Sequence, residues 1–521
     1  MSDDAGAPIL TRTAVVQTTN GPVRGYAEGG LQIFKGLRYG APPVGPLRFK
    51  PPQKPAPWSE PAVAIALAAP SMQAGVDPTA PVGQPQRSAG TPATPGEPPA
   101  SEDCLFINVW TQGLSDAKRR PVMLWLHGGG FANGSGGAAM YDGEALATKG
   151  DVVIVTVNHR LNVFGYLHLA ELAGADYAQS GAAGMLDIVQ VLEWVRDNIT
   201  AFGGDPGNVT IFGESGGGWK VSLLMAMPDA HGLFHKAIIQ SGPGLRAAKP
   251  ETATQTARSL MEALSLAPDD IGALQAASSE AISGAAATVV ARLPADQRLN
   301  GFSPVKDGTA IPGDPFIPTA PALSADIPLM IGTNKDEATL FMIGDPRFGS
   351  LTEEDLAKRS KASAGDKADA LVALFRELHP DNGPSHLISD VQTAAGMWSG
   401  SITLAERKAA QKAAPVYMYQ LTWETQVARG RLKSPHALEI PLVFDNVEKA
   451  RNFVGRGDEP QVLADQMSSA WLAFAKTGDP NADGVPAWPA YDAETRATMM
   501  FDLESQVVND PNAEVRAVLQ G

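Results

Sequence analysis

A short glycine-rich turn between an apolar strand and a helix restricts the fold more than any other feature of this chain. The sequence GESGG at residues 213–217 follows the apolar run 209–212 and leads into the helical pattern GGWKVSLLMAM. A serine at such a strand-to-helix turn is held in strained backbone geometry, exposed above a sheet. The N-terminus of the following helix also favours negative charge nearby. The pattern therefore predicts a nucleophile, Ser215, rather than a flexible loop.

Apolar strands alternate with helical patterns along much of the chain. The predicted helix at 184–204 carries apolar residues in steps of three and four, and another at 465–481 ends at Gly478. Strands that are apolar throughout and separated by helices indicate a parallel sheet covered on both faces. We therefore predict an α/β fold with a large, mostly parallel central sheet. Its predicted strands lie at 121–130, 151–160, 208–215, 236–242, 327–334 and 415–423.

Three segments differ from this alternation. Residues 73–101 are rich in Pro, Gly and Ala, which predicts a long surface loop, with a linker between two domains as the alternative. Residues 250–300 and 352–412 are rich in Ala, Leu, Lys and Glu, which predicts helical excursions from the sheet that line a substrate cavity. With these segments included, we interpret residues 1–521 as a single domain.

A nucleophilic serine also needs hydrogen-bond donors for the negative charge that develops on its substrate. The sequence HGGG at 127–130 ends a predicted strand and supplies a candidate set of donors. The expected donors are the backbone N–H groups of Gly129, Gly130 and Gly216. Glycine suits these positions because a substrate must approach bare backbone there.

The serine needs a base and an acid, which in this kind of fold follow it in the order Asp or Glu, then His. Five histidines follow Ser215, and His436 is the strongest candidate because it precedes an apolar run in a loop. His231 and His235 lie too near the turn to reach back to it. For the acid, Asp336 and Glu337 both follow a predicted strand, and either could orient the histidine.

Composition excludes several classes of function. The formal net charge of −15 disfavours binding to nucleic acids or anionic membranes. No apolar run approaches the length of a membrane span, and the acidic N-terminus does not resemble a signal peptide, so a cytoplasmic protein is expected. The single cysteine, Cys104, leaves no intrachain disulfide.

No cofactor or metal is expected from the motifs. The sequence lacks the HExxH, CxxC and Walker patterns. Residues 134–139 fit G-x-G-x-x-A, but they do not open directly from a strand and no acidic residue stands about 20 positions on, so a dinucleotide site is not predicted.

At these motifs the chain resembles the type B carboxylesterases, the branch of the α/β-hydrolases that includes cholinesterases and bacterial p-nitrobenzyl esterases. The resemblance implies the α/β-hydrolase fold, with Ser215 as nucleophile, Glu337 as acid and His436 as base. It also implies that Gly129, Gly130 and Gly216 form the oxyanion hole. The resembling segments lie between about residue 15 and residue 490, at 36–49, 101–110, 125–131, 158–167, 197–218, 240–242, 332–337, 435–444 and 471–481.

The resemblance extends to supporting residues. Glu214 and Ser241 match positions that surround the catalytic residues of the family. Structural ion pairs of the family would fall on Arg48 with Glu102 and on Arg160 with Asp187.

The chain also departs from the family pattern. Gly216 stands where alanine is usual, and Trp219 and Lys220 stand where small residues are common. A lysine on the helix behind the turn is unexpected. Either its charged end reaches solvent or it pairs with a carboxylate.

The predicted function is hydrolysis of small-molecule carboxylic esters through an acyl-enzyme. The protein is expected to be a monomer or a homodimer. Phe131 and Trp219 are expected to contribute to the substrate pocket. Activity is expected to rise with pH through an apparent pKa near ~7, as the base loses its proton. The same site could instead cleave carbamates, amides or bulky specialised esters. A non-catalytic adhesion or binding protein on this scaffold is the remaining alternative.

Overall fold

The computed structural model describes residues 11–73, 96–293 and 301–521. Most of the predicted proline-rich loop, residues 74–95, lies outside the described residues. The last part of the first predicted helical excursion, residues 294–300, lies outside them as well.

The described residues contain fifteen strands, most of them short at the N-terminal end of the chain and longer in the middle. They are β1 (Thr11–Arg12), β2 (Val16–Gln17), β3 (Pro22–Arg24), β4 (Tyr26–Glu28), β5 (Leu31–Arg38), β6 (Ala62–Val63), β7 (Phe106–Thr111), β8 (Arg120–Leu126), β9 (Val153–Val157), β10 (Gly204–Glu214), β11 (Lys236–Gln240), β12 (Leu329–Asn334), β13 (Val416–Leu421), β14 (Ala497–Phe501) and β15 (Gln506–Asn509).

Twelve of these strands form one sheet in the order β1-β4-β5-β7-β9-β8-β10-β11-β12-β13-β14-β15. The neighbours from β9 to β14 are parallel, and antiparallel pairs complete the sheet on both sides. A second sheet joins β2, β3 and β6. The predicted large, mostly parallel sheet is thereby confirmed.

Helices occupy most of the segments between strands. They are α1 (Glu144–Gly150), α2 (Asn162–Tyr166), α3 (Ala170–Ala173), α4 (Ala183–Asn198), α5 (Gly216–Leu224), α6 (Pro250–Ala263), α7 (Ile271–Ala276), α8 (Ser279–Arg292), α9 (Ala338–Met342), α10 (Glu353–Ala364), α11 (Ala368–Leu378), α12 (Pro384–Thr393), α13 (Ser399–Ala409), α14 (Glu439–Val443), α15 (Arg451–Val454), α16 (Glu459–Thr477) and α17 (Ala513–Gln520). Among the helices of the described residues, none is long and apolar enough to cross a membrane.

Apolar side chains cover both faces of the sheet. Along β8, Leu124 and Leu126 belong to one buried cluster, whereas Met123 and Trp125 belong to another, as the two-residue period of a strand requires. Helices α4 and α5 contribute to the first cluster, and α1, α14 and α16 to the second. A strand buried on both faces must be apolar throughout, which explains the uninterrupted apolar runs of the sequence.

Two helices differ from their predicted bounds at one end. The helix predicted at 184–204 ends as α4 at Asn198, and a 3-10 turn continues the chain to Phe202. Helix α16 begins at Glu459 rather than at 465, with Pro460 in its first turn, and ends before Gly478, which has φ 84°. Proline is favoured at a helix start and glycine just past its end, so local capping fixes both limits.

The two expected ion pairs form. Arg48 Nη2 lies 2.6 Å from Glu102 Oε1, and Arg160 Nη2 lies 2.6 Å from Asp187 Oδ1. Both pairs are buried, and each arginine also donates to backbone carbonyls, as a buried charge requires.

Adjacent strands end at the same edge of the sheet and bring distant motifs together. The HGGG sequence follows β8, Ser215 follows β10, and residues 335–337 follow β12. The segment with His436 lies between β13 and α14. Because carboxyl ends of parallel strands meet at one edge, this edge carries the candidate site.

Candidate active site

Ser215 occupies the turn between β10 and α5 in a conformation that few side chains adopt. Its backbone has φ 56° and ψ −120°, and its N–H donates to Gln240 O at 2.8 Å. Ser215 is partly exposed, whereas Glu214 and Gly216 on either side are buried. Strained backbone of this kind persists only where the surroundings enforce it.

Close backbone approach explains the glycine at position 217. A Cβ added at Gly217 would lie 1.9 Å from Leu126 O. Only glycine allows α5 to pack this closely on the end of β8. We call residues 213–217 the elbow.

The loop after β8, residues 127–130, is called the glycine loop here. Gly129 has φ 82° and Gly130 has φ 61°, both in the left-handed region that favours glycine. A Cβ on Gly128 would lie 3.3 Å from Ser215 Cβ, so the loop lies directly against the elbow. Within the described part of the chain, the N–H groups of Gly129, Gly130 and Gly216 have no hydrogen-bond acceptor.

His436 and Glu337 form a buried pair next to the elbow. His436 Nδ1 lies 2.5 Å from Glu337 Oε2. The other carboxylate oxygen of Glu337 accepts from Ser241 Oγ at 2.5 Å and from Asn334 N at 2.7 Å. These contacts fix the carboxylate, which in turn fixes the orientation of the imidazole ring.

The second ring nitrogen of His436 faces another carboxylate. His436 Nε2 lies 2.9 Å from Glu214 Oε1. Among the described residues neither atom makes a hydrogen bond, so Nε2 is not bonded to Ser215 Oγ in this structure. His436 therefore lies between two buried carboxylates.

The carboxylates determine the protonation of His436. Burial alone would lower the pKa of the imidazole, but Glu214 and Glu337 outweigh burial and raise the pKa well above its ordinary value. The two carboxylates therefore favour the protonated form of the ring, in the direction opposite to the effect of burial.

A third buried carboxyl group, Glu439, was not identified from the sequence. Its oxygens accept from Asn334 Nδ2 at 2.6 Å and Gln240 Nε2 at 3.3 Å. Burial, together with the charges of Glu214 and Glu337, raises the pKa of Glu439 to about 8. The only sequence signal was a glutamate at the start of an apolar helix, which is not specific.

Asp336, the other candidate acid, and His379, another of the five histidines that follow Ser215, have different partners. Asp336 Oδ2 accepts from Ser434 N at 3.2 Å, and burial raises its pKa to about 6. His379 Nδ1 lies 3.1 Å from Asp390 Oδ2. Of the two alternatives left open by residue chemistry, Glu337 is therefore the one in contact with His436.

Three aromatic side chains lie close to the elbow or to His436. Phe131 is completely buried, with its ring centroid 5.4 Å from that of Trp219, so it supports Trp219 and presents no surface of its own. Trp219 is partly exposed and donates from Nε1 to Arg246 O at 2.9 Å. Phe341, which sequence reasoning missed, is 56% exposed, and its ring lies 4.9 Å from that of His436.

The described residues contain no group of three or more His, Cys, Asp or Glu side chains arranged to hold a metal ion. What the site brings together is a strained serine, a histidine held by a carboxylate, and glycine-rich backbone. This combination suits nucleophilic acyl transfer.

Comparison with known proteins agrees with the geometry. Residues 12–518 match the model of the carboxylesterase family. The para-nitrobenzyl esterase of Bacillus subtilis (strain 168) is 37% identical over 512 residues, which cover 97% of this chain and 98% of that protein. The phenmedipham hydrolase of Pseudarthrobacter oxydans is 34% identical, with 97% of each chain covered.

Solved structures give the same result. A crystal structure of a Geobacillus stearothermophilus carboxylesterase at pH 6.2 superposes with a TM-score of 0.84 at 37% identity, covering 97% of this chain and all of that one. The α/β-hydrolase fold is thereby confirmed. The chain belongs to the carboxylesterase family and is a carboxylic ester hydrolase.

Proposed function

We propose that Ser215, His436 and Glu337 form the catalytic triad of this esterase. Ser215 Oγ attacks the ester carbonyl carbon while His436 Nε2 accepts the hydroxyl proton. The tetrahedral intermediate collapses, and the alcohol leaves with that proton. Water then attacks the acyl-enzyme in the same way and releases the acid and free Ser215.

One observation carries the proposal. A serine in strained, partly exposed geometry directly follows Glu214, whose carboxylate lies 2.9 Å from Nε2 of a histidine, and Nδ1 of that histidine is held 2.5 Å from Glu337. Glu337 keeps the imidazole in the tautomer with the proton on Nδ1 and stabilises the charged ring that forms during the reaction.

Substrate binding must complete the contact between the base and the nucleophile. His436 Nε2 lies beside Glu214 in this structure, and we propose that a small movement of the ring brings it to Ser215 Oγ. Catalytic hydrogen bonds are often long in unliganded enzymes and shorten in the complex. Glu214 then remains next to the charged ring and stabilises it.

The glycine loop and the elbow are proposed to bind the oxyanion. The N–H groups of Gly129, Gly130 and Gly216 would donate to the negative oxygen of the tetrahedral intermediate. The left-handed conformations of Gly129 and Gly130 and the short approach of Gly128 to Ser215 support this assignment.

The surroundings favour esters with an apolar part. Trp219, whose backbone N–H donates to Ser215 O, and Phe341, next to His436, offer partly or largely exposed aromatic surface. We propose that residues 1–521 form one domain and that the helices in 250–293 and 352–412 shape the entrance to the site. Thr393 Oγ1, at the end of α12, accepts from Ala338 N next to Glu337, which places the second segment beside the acid.

Covalent labelling tests the proposal. A fluorophosphonate probe is expected to form a stoichiometric adduct on Ser215, and Ser215→Ala is expected to lose at least about 10³-fold in kcat on a p-nitrophenyl ester. Ser363→Ala, on the exposed surface of α10, serves as the control and should keep both properties. Near-normal turnover by Ser215→Ala would refute the assignment.

A further inference from the structure

A lysine is buried directly behind the glycine loop. Lys220, on α5, has no exposed surface. Its Nζ donates to His127 O and to Gly130 O, both at 3.0 Å, and lies 5.3 Å from the centroid of the Phe131 ring. The lysine therefore does not reach solvent, and it pairs with no carboxylate of the described residues; these were the two outcomes expected from the sequence.

The two carbonyls that Lys220 binds have a particular place in the glycine loop. The N–H groups of Gly129 and Gly130 belong to the two peptide units in the middle of the loop. The carbonyls of His127 and Gly130 belong to the peptide units immediately before and after these two. A single ammonium group thus fixes both ends of the segment that carries the donors. Fixing both ends limits rotation of the two peptide units between them.

The Gly130 carbonyl also explains the glycine at position 216. A Cβ on Gly216 would lie 2.2 Å from Gly130 O and 2.6 Å from Gly130 C and Cα. The carbonyl that accepts from Lys220 therefore occupies the space that an alanine side chain at 216 would need. Lys220 and Gly216 are thus linked through the Gly130 carbonyl, which accepts a hydrogen bond from the first and lies against the second.

We propose that Lys220 is a positioning residue that holds the glycine loop against the elbow, and that Gly216 is required because the loop in this position leaves no room for a side chain. The inference rests on the proposed role of the loop as an oxyanion hole. It assigns to Lys220 no contact with substrate.

The cost of burying the lysine agrees with such a role. Burial lowers the pKa of Lys220 to about 7, and the negative charge of Glu214 only partly opposes this. A buried amine is expensive unless its donors are satisfied. The neutral amine keeps two N–H groups, so it can bind both carbonyls in either protonation state.

The first test replaces the lysine by a side chain of similar length without donors. Lys220→Met is expected to lose about 10- to 10²-fold in kcat on a p-nitrophenyl ester with little change in KM, because a misplaced loop weakens transition-state binding. Affinity for a trifluoromethyl ketone, which forms a tetrahedral adduct with the serine, should fall by a similar factor. Lys408→Met is the matched control, since Lys408 is also fully buried and donates to a backbone carbonyl, Ala325 O, at 2.8 Å.

The second test is a double-mutant cycle. Gly216→Ala in the native background forces a methyl group against the Gly130 carbonyl and is expected to lower kcat by about 10². In a Lys220→Ser background the loop is free to move away, so the same substitution should cost much less. Energetic coupling of this kind is the signature of residues that share one contact. Additive effects would overturn the link between the two positions.

The outcomes separate the inference from the proposed function. If the native enzyme is not labelled at Ser215 by a fluorophosphonate, the proposed function itself fails. If the native enzyme is labelled but Lys220→Met keeps its kcat and its affinity for the ketone, only the role of Lys220 is refuted. If Lys220→Met does not fold, the same kcat and ketone affinity are measured for Lys220→Ser, and the cycle with Gly216→Ala shows whether the two positions are coupled.

Discussion

At the scale of single residues, His436 shows how the site combines burial with charge. A base must be neutral to accept the serine proton, and burial favours the neutral ring. Two carboxylates close to the ring have the opposite effect and raise the pKa of His436 well above its ordinary value. The pair with Glu337 orients the ring, whereas Glu214 lies against Nε2, the nitrogen that we propose acts as the base. Glu214 therefore has two opposing effects. Its charge stabilises the protonated ring that forms during the proposed reaction, but it also hinders the loss of the proton that the ring must give up before it can act as a base.

Replacing Glu214 by glutamine should shift the pH profile towards acid. The base acts only when deprotonated, so kcat/KM of the native enzyme is expected to rise through an apparent pKa above that of free histidine. Glu214→Gln removes a charge that favours the protonated ring and should lower this apparent pKa. Profiles of kcat/KM against pH measure the shift, with Glu354→Gln on the surface of α10 as control. An unchanged apparent pKa would show that Glu214 does not control the base.

Lys220 should leave a signature in stability as well as in catalysis. Its pKa is about 7 in the folded chain and near its ordinary value of 10.5 in the unfolded chain. Between these values the unfolded state binds more protons, so the free energy of unfolding rises with pH in this window, and the destabilising effect is complete below it. Lys220→Met lacks this titration.

Urea unfolding at several pH values measures the effect. The free energy of unfolding of the native enzyme minus that of Lys220→Met is expected to increase from pH about 7 to about 10 and to stay flat below that range. Lys358→Met, at an exposed position of α10, gives the baseline. A constant difference across the window would contradict burial of an ionisable amine at this position.

At the scale of elements, the contact between α5 and the end of β8 depends on Gly217. A methyl group there would meet Leu126 O at 1.9 Å, and its other near neighbours, Leu126 C and His127 O, are also backbone atoms, which cannot swing aside as a side chain can. Gly217→Ala is expected to lower the free energy of unfolding by about 3 kcal/mol or more, as overpacking of backbone does. Thermal and urea unfolding measure the loss.

A second glycine supplies the control. Gly284 lies in α8, and no atom of the described residues occupies the place of its missing side chain. Gly284→Ala should therefore leave the free energy of unfolding unchanged or raise it by up to about 1 kcal/mol through helix propensity. Similar effects at both positions would contradict the close packing of α5 on β8.

At this scale, the sequence predicts the features that depend on residues close together in the chain, and it does not predict contacts between residues that are far apart in the chain. The apolar runs and their helical steps follow from burial of whole faces, so the strands of the parallel sheet were predictable. The starts of helices were less predictable, because α16 begins at Glu459 and Pro460, several residues before its apolar pattern starts. Lys220 could not be placed at all, since its partner His127 O lies 93 positions earlier in the chain. The same is true of Phe341, whose contact with His436 exists only in the fold.

At the scale of the whole molecule, buried ion pairs connect parts of the chain that are far apart in sequence. Asp187, on α4, accepts from Arg160 N at 3.0 Å, Nε at 2.9 Å and Nη2 at 2.6 Å. The same guanidinium donates to Lys50 O at 2.8 Å. The pair thus joins the N-terminal region, the end of β9 and the helix that covers the sheet. Losing one partner would leave the other charged and unpaired in the core.

Asp187→Ala is therefore expected to destabilise the molecule by about 3–5 kcal/mol, because Arg160 would remain buried without its counter-charge. Asp197→Ala is the comparison, since Asp197 pairs with two exposed side chains, Arg196 at 2.8 Å and Lys54 at 3.4 Å, and its loss should lower the free energy of unfolding by no more than about 1 kcal/mol. Urea unfolding of both variants measures the difference.

Replacing both partners, as Arg160→Met with Asp187→Leu, should recover part of the loss in the free energy of unfolding, because no unpaired charge is then left in the core. Equal effects of Asp187→Ala and Asp197→Ala would show that the buried pair does not stabilise the connection between these three parts of the molecule.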